Sequence, residues 1–207
     1  MDIKTLETAG FKPAIISMRN PLDSWAKSDS GINYEHQRYE IGAADRDLSK
    51  RLSDAGNEHA KHLRMIMVWC DITAPREWFI QLDTYRIGVE KISCSTMHTL
   101  MRRHLTDSDF ECDCIPETYM DRMLFDINAS MDVWKHTDDP EEKQKIWRGI
   151  IEMLPQSFLQ KRTYMFSYAA LRNIYKQRKG HKLKEWEQFR EWCRNLPESW
   201  MITDGDE

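Results

Sequence analysis

From Ser93 to Leu196 apolar residues recur at spacings of three and four with few interruptions, a period that over such a length suits α-helices. The interruptions fall where helices stop. Cys112–Pro116 and Thr137–Pro140 separate predicted helices at 95–105, 117–136 and 139–153. Pro155 precedes a further helical stretch predicted over 157–178 and broken at Gly180, and Pro197 stops an amphipathic segment at 183–196, because proline supplies no amide hydrogen to continue a helix. Before residue 93 the pattern is mixed. The Pro-bounded run 13–21 and the compact apolar run 62–71 read as strands, 43–55 as a surface helix ending at Gly56, and Pro75 as the first turn of a helix through Tyr85,. With 8 Gly and 7 Pro in 207 residues, a turn-rich sandwich or barrel is disfavoured. The expectation is one α+β domain with a small, mostly antiparallel sheet: a strand-containing part over about 1–92, a helical part over about 93–197 and a frayed tail over 198–207.

The charge balance limits partners. Thirty Lys and Arg against 34 Asp and Glu leave −4, so no global basic field draws the chain to nucleic acid or an anionic bilayer. The longest apolar runs fall well short of a membrane span, and the N-terminus carries no basic and apolar leader, which predicts a cytoplasmic protein. Five scattered cysteines, with Cys112 and Cys114 only one residue apart, fit neither a disulfide framework nor a four-ligand zinc site, so no metal is expected. Cys94 reads as a core thiol.

One stretch departs from the acidic balance. Residues 161–184 hold Lys161, Arg162, Arg172, Lys176, Arg178, Lys179, Lys182 and Lys184 and no acid, interleaved with Tyr164, Phe166, Tyr168 and Tyr175. Such a segment either focuses potential on a phosphorylated ligand or forms a solvated helix face. A second feature runs from Gln81 through Tyr85 and Arg86 to Gly88, followed by Ser93, Cys94, Ser95 and Thr96. The hydroxyl cluster suits a helix cap, where backbone N–H groups also attract anions. His59 and His62, three apart, read as structural. No glycine-rich phosphate loop is present.

Taken together, Leu154-Pro155, Leu171-Arg172-Asn173, Arg178, His181 and Glu185-Trp186 resemble the late segment of the flavin-dependent thymidylate synthases. That family has a Leu-Pro pair, a long helix with a Leu-x-Asn step, an Arg five residues on and a following His-Ala-Gln-Trp-Glu. The resemblance implies that Asn173 contacts FAD and that Arg178 is the catalytic residue, binding dUMP and polarising its pyrimidine. Gln81 to Arg86 falls where the family has Gln-x-x-Arg-His-Arg, the Ser93–Thr96 cluster lies near its phosphate-holding Ser-x-Arg, and His59 sits where a family His precedes the first core strand. By the same resemblance Gln81, Arg86, Ser93, Ser95 and Arg148 bind the nucleotide, and His59, Tyr85 and His181 stand with Asn173 at the flavin.

The departures from the family are specific. Thr84 and Tyr85 replace the Arg and His of the triplet, the Arg after the nucleotide-binding Ser is absent, Ile151 replaces another Arg, with Arg148 nearly one turn earlier, and Glu185 replaces a Gln. Two lost charge-assisted contacts at about 1.5–3 kcal/mol each weaken an anionic ligand about 100-fold or more unless Lys91, Arg102 or Arg103 compensates. The resemblance implies hydride flow from reduced flavin, methylenetetrahydrofolate as one-carbon donor, NADPH to reload the flavin, and a homotetramer with sites at subunit interfaces. The expected function is a synthase acting at C5 of dUMP or a related pyrimidine nucleotide. The alternatives are a non-catalytic nucleotide-binding protein on the same fold, and a helical interaction module using 183–196.

Overall fold

The computed structural model describes residues 1–204. In chain order the elements are β1 (Asp2–Ala9), α1 (Phe11–Ser17), the hairpin β2 (Gly31–Asn33) and β3 (Arg38–Glu40), α2 (Ala43–Asp54), β4 (Met67–Pro75), α3 (Arg76–Leu82), β5 (Val89–Ser93), α4 (Thr96–Thr99), α5 (Glu117–His136), α6 (Pro140–Met153), β6 (Leu159–Ser167), α7 (Tyr168–Gln177), α8 (Lys184–Arg194) and α9 (Trp200–Thr203), with short 3-10 turns between some of them. The fold is α+β, with a small antiparallel sheet and many helices, as the sequence predicts. The four-stranded sheet has the order β1-β4-β6-β5. Its register shows in the bonds at both ends of β6. The Tyr168 amide donates to Ile66 O and the Arg76 amide to Phe158 O, while Ser167 donates to Gly88 O and Cys94 to Lys161 O, so β6 runs antiparallel to β4 and to β5.

Three sequence expectations are corrected. Residues 13–21 are not a strand: Phe11–Ser17 is helical, because Pro13 fits a first turn and Ala14, Ile15 and Met18 bury one face. The predicted helix over 157–178 is a strand followed by a helix. The tail from 198 is not frayed over its described part, since α9 buries Met201, Ile202 and Thr203; residues 205–207 of that expectation lie outside the described residues.

The chain divides into two compact units, one of Met1–Asp2, Ile72–Thr84 and Ile92–Arg162, the other of Ile3–Asp71, Tyr85–Lys91 and Thr163 onward. The first is organised by α5 and α6, whose Met120, Ile127, Met131 and Ile150 pack with Leu100, Leu105, Phe110, Leu154 and Phe158. Asp139 caps α6 by accepting from the Glu141 amide at 3.1 Å, with Pro140 opening the helix,. In this unit Arg162 forks onto Asp83, at 3.0 and 3.3 Å, and lies 4.0 Å from the Phe79 ring centroid.

The second unit is built on aromatics. Tyr164 and Phe166, two apart on β6, stack at 5.2 Å, and Phe166 meets Phe189 of α8 edge-on at 5.8 Å, geometries that add to simple burial. Trp186, Phe189 and Cys193 are all fully buried, which is the core role their spacing predicts. The chain turns from β1 into α1 at Gly10, where φ is +97° and a Cβ would stand 2.1 Å from Met65 O, so only glycine fits. Asp45 of α2 is fully buried and accepts from Arg19, Ser28 and Ser30. The predicted surface helix therefore carries one buried polar side.

Candidate functional site

The second unit contains a cleft of ≈ 640 Å³, within the range of small-molecule sites. From α7 it takes Ala169, Ala170, Arg172, Asn173 and Lys176; from the segment before β5, Ile87 and Gly88; from α2 and the chain after it, Ser53, Asn57 and Arg64. Small residues meet at the start of α7. Gly88 has φ +70°, and a Cβ there would lie 2.3 Å from Ser167 Oγ, while that hydroxyl accepts from the Ala170 amide at 3.2 Å as the helix cap. The first turn of a ten-residue helix thus lines the cleft, an arrangement whose backbone dipole favours an anion.

The cleft's cations are held in place. Arg172, 9% exposed, donates through Nε to Asp204 Oδ1 at 2.7 Å and through Nη1 to Ser53 O at 3.2 Å. Lys176, one turn further along α7, pairs with the same Asp204 carboxylate. Arg64 donates to Asn57 O at 2.9 Å. Behind Arg172 lies His62, whose Nε2 is 2.8 Å from Ser49 Oγ. Burial, and secondarily the Arg172 charge, push its imidazole down to about 4, so it is neutral at pH 7.

A hydrogen-bonded chain leads from this cleft to an aromatic cluster. Gln177 donates to Asn173 Oδ1 at 2.8 Å and accepts from the Tyr85 hydroxyl at 3.0 Å. The Arg178 guanidinium lies 5.3 Å from the Tyr85 ring centroid and 4.3 Å from that of Trp186. His181 meets Trp186 edge-on at 6.0 Å and accepts from the Leu183 amide at 3.1 Å. Four residues singled out from the sequence, Tyr85, Asn173, Arg178 and His181, therefore share one network. Tyr85, which stands where the family triplet has His, supplies both a hydroxyl and a ring to it.

The other sequence-selected residues are placed differently. His59 is exposed, beside Glu58 at 3.7 Å, and is not among the cleft residues although its neighbours Asn57 and Ala60 are. Arg86 is exposed. Gln81, Ser93, Ser95 and Arg148 belong to the first unit. There Ser95 is the cap residue of α4 but makes no side-chain capping bond, Ser93 is exposed at the end of an edge strand, and Arg148 pairs with Glu152 at 2.8 Å. Arg103, a possible compensating cation, is taken up by Asp109 in a two-bond fork. Cys94 is exposed rather than core, being the first residue beyond β5. The sequence reading missed Ser53, Asn57, Arg64 and Ser167, and took Gly88 only as the end of its Gln81–Gly88 feature. It flagged Lys176 only as part of the cation-rich stretch, and Arg172 there and within the Leu171-Arg172-Asn173 step without a binding role; their four-residue spacing on one helix face was the signal that could have selected them.

That stretch is not a bare basic field. Arg162, Arg172 and Lys176 find acids from elsewhere in the chain, Asp83 and Asp204. Among the described residues there is no cluster of three metal-ligating side chains, and no helix is long and apolar enough to cross a membrane.

No protein-family model and no curated protein matches the sequence. Structure comparison does find solved structures of similar fold. The flavin-dependent thymidylate synthase ThyX from Helicobacter pylori, complexed with FAD and dUMP, superposes with a TM-score of 0.74 at 16% identity, over 99% of this chain and 99% of that one. A second structure of ThyX from the same organism with FAD and dUMP, at 2.31 Å resolution, gives the same TM-score and identity over 99% and 98%. What is shared is the fold. It extends over 99% of this chain.

Proposed function

We propose that this chain is a divergent flavin-dependent thymidylate synthase-like enzyme that binds FAD and acts at C5 of dUMP or a related pyrimidine deoxynucleotide. The observation carrying this reading is the network Asn173–Gln177–Tyr85–Arg178, set beside a cleft in a chain with the ThyX fold over its whole length. The residues fit a flavin nucleotide. Gly88, Ala169 and Ala170 keep bulky side chains from that part of the cleft, the first turn of α7 and the Arg172–Lys176 pair suit phosphate, and Asn173 supplies an amide,.

When bound, a flavin would supply hydride chemistry. The chain's own part is positioning and electrostatics. Trp186 and Tyr85 fix the Arg178 guanidinium in a partly dewatered setting, where a cation stabilises negative charge on a pyrimidine O2/N1 edge more strongly than in water. Gln177 orders Asn173 and Tyr85 together. Arg86, Gln81, Ser93, Ser95 and Arg148 are proposed for the phosphate end of the nucleotide, and His59 and His181 for the flavin. Methylenetetrahydrofolate and NADPH are the proposed co-substrates, a homotetramer with sites at subunit interfaces the proposed assembly, and the cytoplasm the proposed location.

The test is direct. Purified protein should carry or take up FAD, seen as yellow absorbance, and dUMP should alter the oxidation of the reduced flavin. Nucleotide binding without flavin would replace the enzyme by a sensor or scaffold on the same fold, the reading favoured by Thr84 and Tyr85 standing in the triplet. Binding of neither ligand would overturn both.

A further inference from the structure

The Asp204 carboxylate occupies a position of unusual chemistry. It ends α9 in a left-handed conformation, φ 56° and ψ 23°, and reaches both cations that α7 presents to the cleft. Its Oδ1 accepts from Arg172 and its Oδ2 meets the Lys176 ammonium. Arg172 and Lys176 both line the cleft, together with the first turn of α7. Asp204 does not. Two cations one helical turn apart, one planar and forked and the other a point charge, form a receptor for an oxyanion with several oxygens. Here a carboxylate of the chain itself satisfies both.

We infer that Arg172 and Lys176 form a phosphoryl-binding subsite of the cleft and that Asp204 is its internal counter-ion, displaced or shared when a phosphate or diphosphate group enters. The inference rests on the cleft being the ligand site. Arg172 stays anchored in the exchange, since Nη1 is bonded to Ser53 O and Nη2 lies 3.8 Å from Asp54. Lys176 is half exposed and has no second anchor of this kind among the described residues, so it is the mobile member that turns toward the incoming anion. The counter-ion keeps the two cations from repelling one another in the ligand-free protein and sets a threshold that a singly charged anion does not cross. A diphosphate, with more oxygens and charge than a carboxylate, does.

The probe is inorganic pyrophosphate, titrated by calorimetry into the full chain, with FAD, riboflavin and dUMP titrated in parallel. Asp204→Asn removes the charge and keeps a residue that tolerates left-handed backbone. It should tighten pyrophosphate at least about fivefold, the scale of one lost charge-assisted competitor, and Lys176→Ala should weaken it by a similar factor. If the subsite serves the flavin, Asp204→Asn tightens FAD and leaves riboflavin unchanged; if it serves the nucleotide, dUMP tightens instead. Unchanged pyrophosphate affinity in both variants, with only a lower melting temperature for Asp204→Asn, would make the contact a structural clasp and overturn the inference. Should the pyrophosphate responses appear while neither FAD nor dUMP binds, the subsite stands and the proposed function falls. FAD binding with indifferent pyrophosphate responses gives the reverse.

Discussion

The guanidinium of Arg178 lies 4.3 Å from the centroid of the Trp186 ring, so the residue proposed to activate the pyrimidine is also packed against the core. Replacing it removes two things at once. Arg178→Ala should cost about 1 kcal/mol of cation–π and packing energy, or roughly 3 °C in melting temperature, and should lower dUMP affinity more than tenfold. Arg178→Met separates the two effects, because its flexible chain refills the space over Trp186 without the charge. Near-normal melting with weak dUMP binding, read by thermal unfolding and calorimetry, is the expected pair of results. Wild-type affinity in Arg178→Met would leave Arg178 a packing residue only.

Asp45 is the most heavily bonded carboxylate of the chain's N-terminal part. It accepts from Arg19 Nε at 2.8 Å and from Ser28 and Ser30 at 2.6 Å each, and forms an ion pair with Arg19 Nη2 at 2.6 Å. Burial pushes its carboxyl upward, but the two hydroxyls and the Arg19 guanidinium outweigh that and hold it below the usual range. Asp45→Ala strands Arg19, itself 6% exposed, and should cost about 3–5 kcal/mol in urea unfolding. The double change Arg19→Met with Asp45→Leu should recover part of that loss, since an apolar pair of similar volume needs no counter-charge while Ser28 and Ser30 still lose their acceptor,.

Much of the fold was legible because tertiary contacts followed local pattern. The predicted helix 117–136 is α5 residue for residue, and Trp186, Phe189 and Cys193 are core as spaced. β6 was not, for two physical reasons. It lies between β4 and β5, and its polar residues are satisfied by helices remote in sequence, Gln160 by Thr96 of α4 and Arg162 by Asp83 at the end of α3. The apolar series also runs on without a break into α7, hiding the change from period two at Tyr164 and Phe166 to period three or four at Leu171 and Ile174. The site followed the same logic. Asn173 and Arg178 sit on or at the end of one recognisable helix, whereas Gly88, Ser53 and Asn57 reach the cleft through long-range packing that no local spacing encodes.

His62 gives a pH signature separate from that of the carboxylates. Its imidazole is pushed down to about 4 in the folded chain against about 6.5 when unfolded. Protonation would bury a charge beside Arg172 and leave Nδ1 with no acceptor among the described residues. Between those two values the unfolded chain binds more protons, so stability rises with pH through the window from about 4 to 6.5 and is flat in this group above it. The total is on the order of 3 kcal/mol. The lowered Asp45 and Asp109 carboxyls give stability that is complete above their unfolded value near 4 and lost below it. Urea midpoints at pH 7 and pH 5 should therefore differ in the wild type and converge in His62→Gln. A difference that persists in the variant would assign the titration elsewhere.

Gly88 ties the edge of the sheet to the cleft through a contact that leaves no room for a methyl group. Its φ of +70° disfavours any L-residue, and the Cβ of alanine would stand 2.3 Å from Ser167 Oγ. That hydroxyl cannot swing aside freely, because it caps α7 at the Ala170 amide. Gly88→Ala should thus cost about 1 kcal/mol for backbone strain and about 1 kcal/mol more for the displaced cap. Ser167→Gly alone costs only a few tenths, since glycine is tolerated at a cap. Combined with Gly88→Ala it removes the collision but not the strain, so the double variant should be more stable than Gly88→Ala by several tenths of a kcal/mol, a non-additivity that a double-mutant cycle in urea reads directly. Because both residues line the cleft, FAD affinity should fall in Gly88→Ala and return in the double variant. Recovery of stability without recovery of FAD binding would mean that the methyl group itself, not the displaced serine, obstructs the ligand.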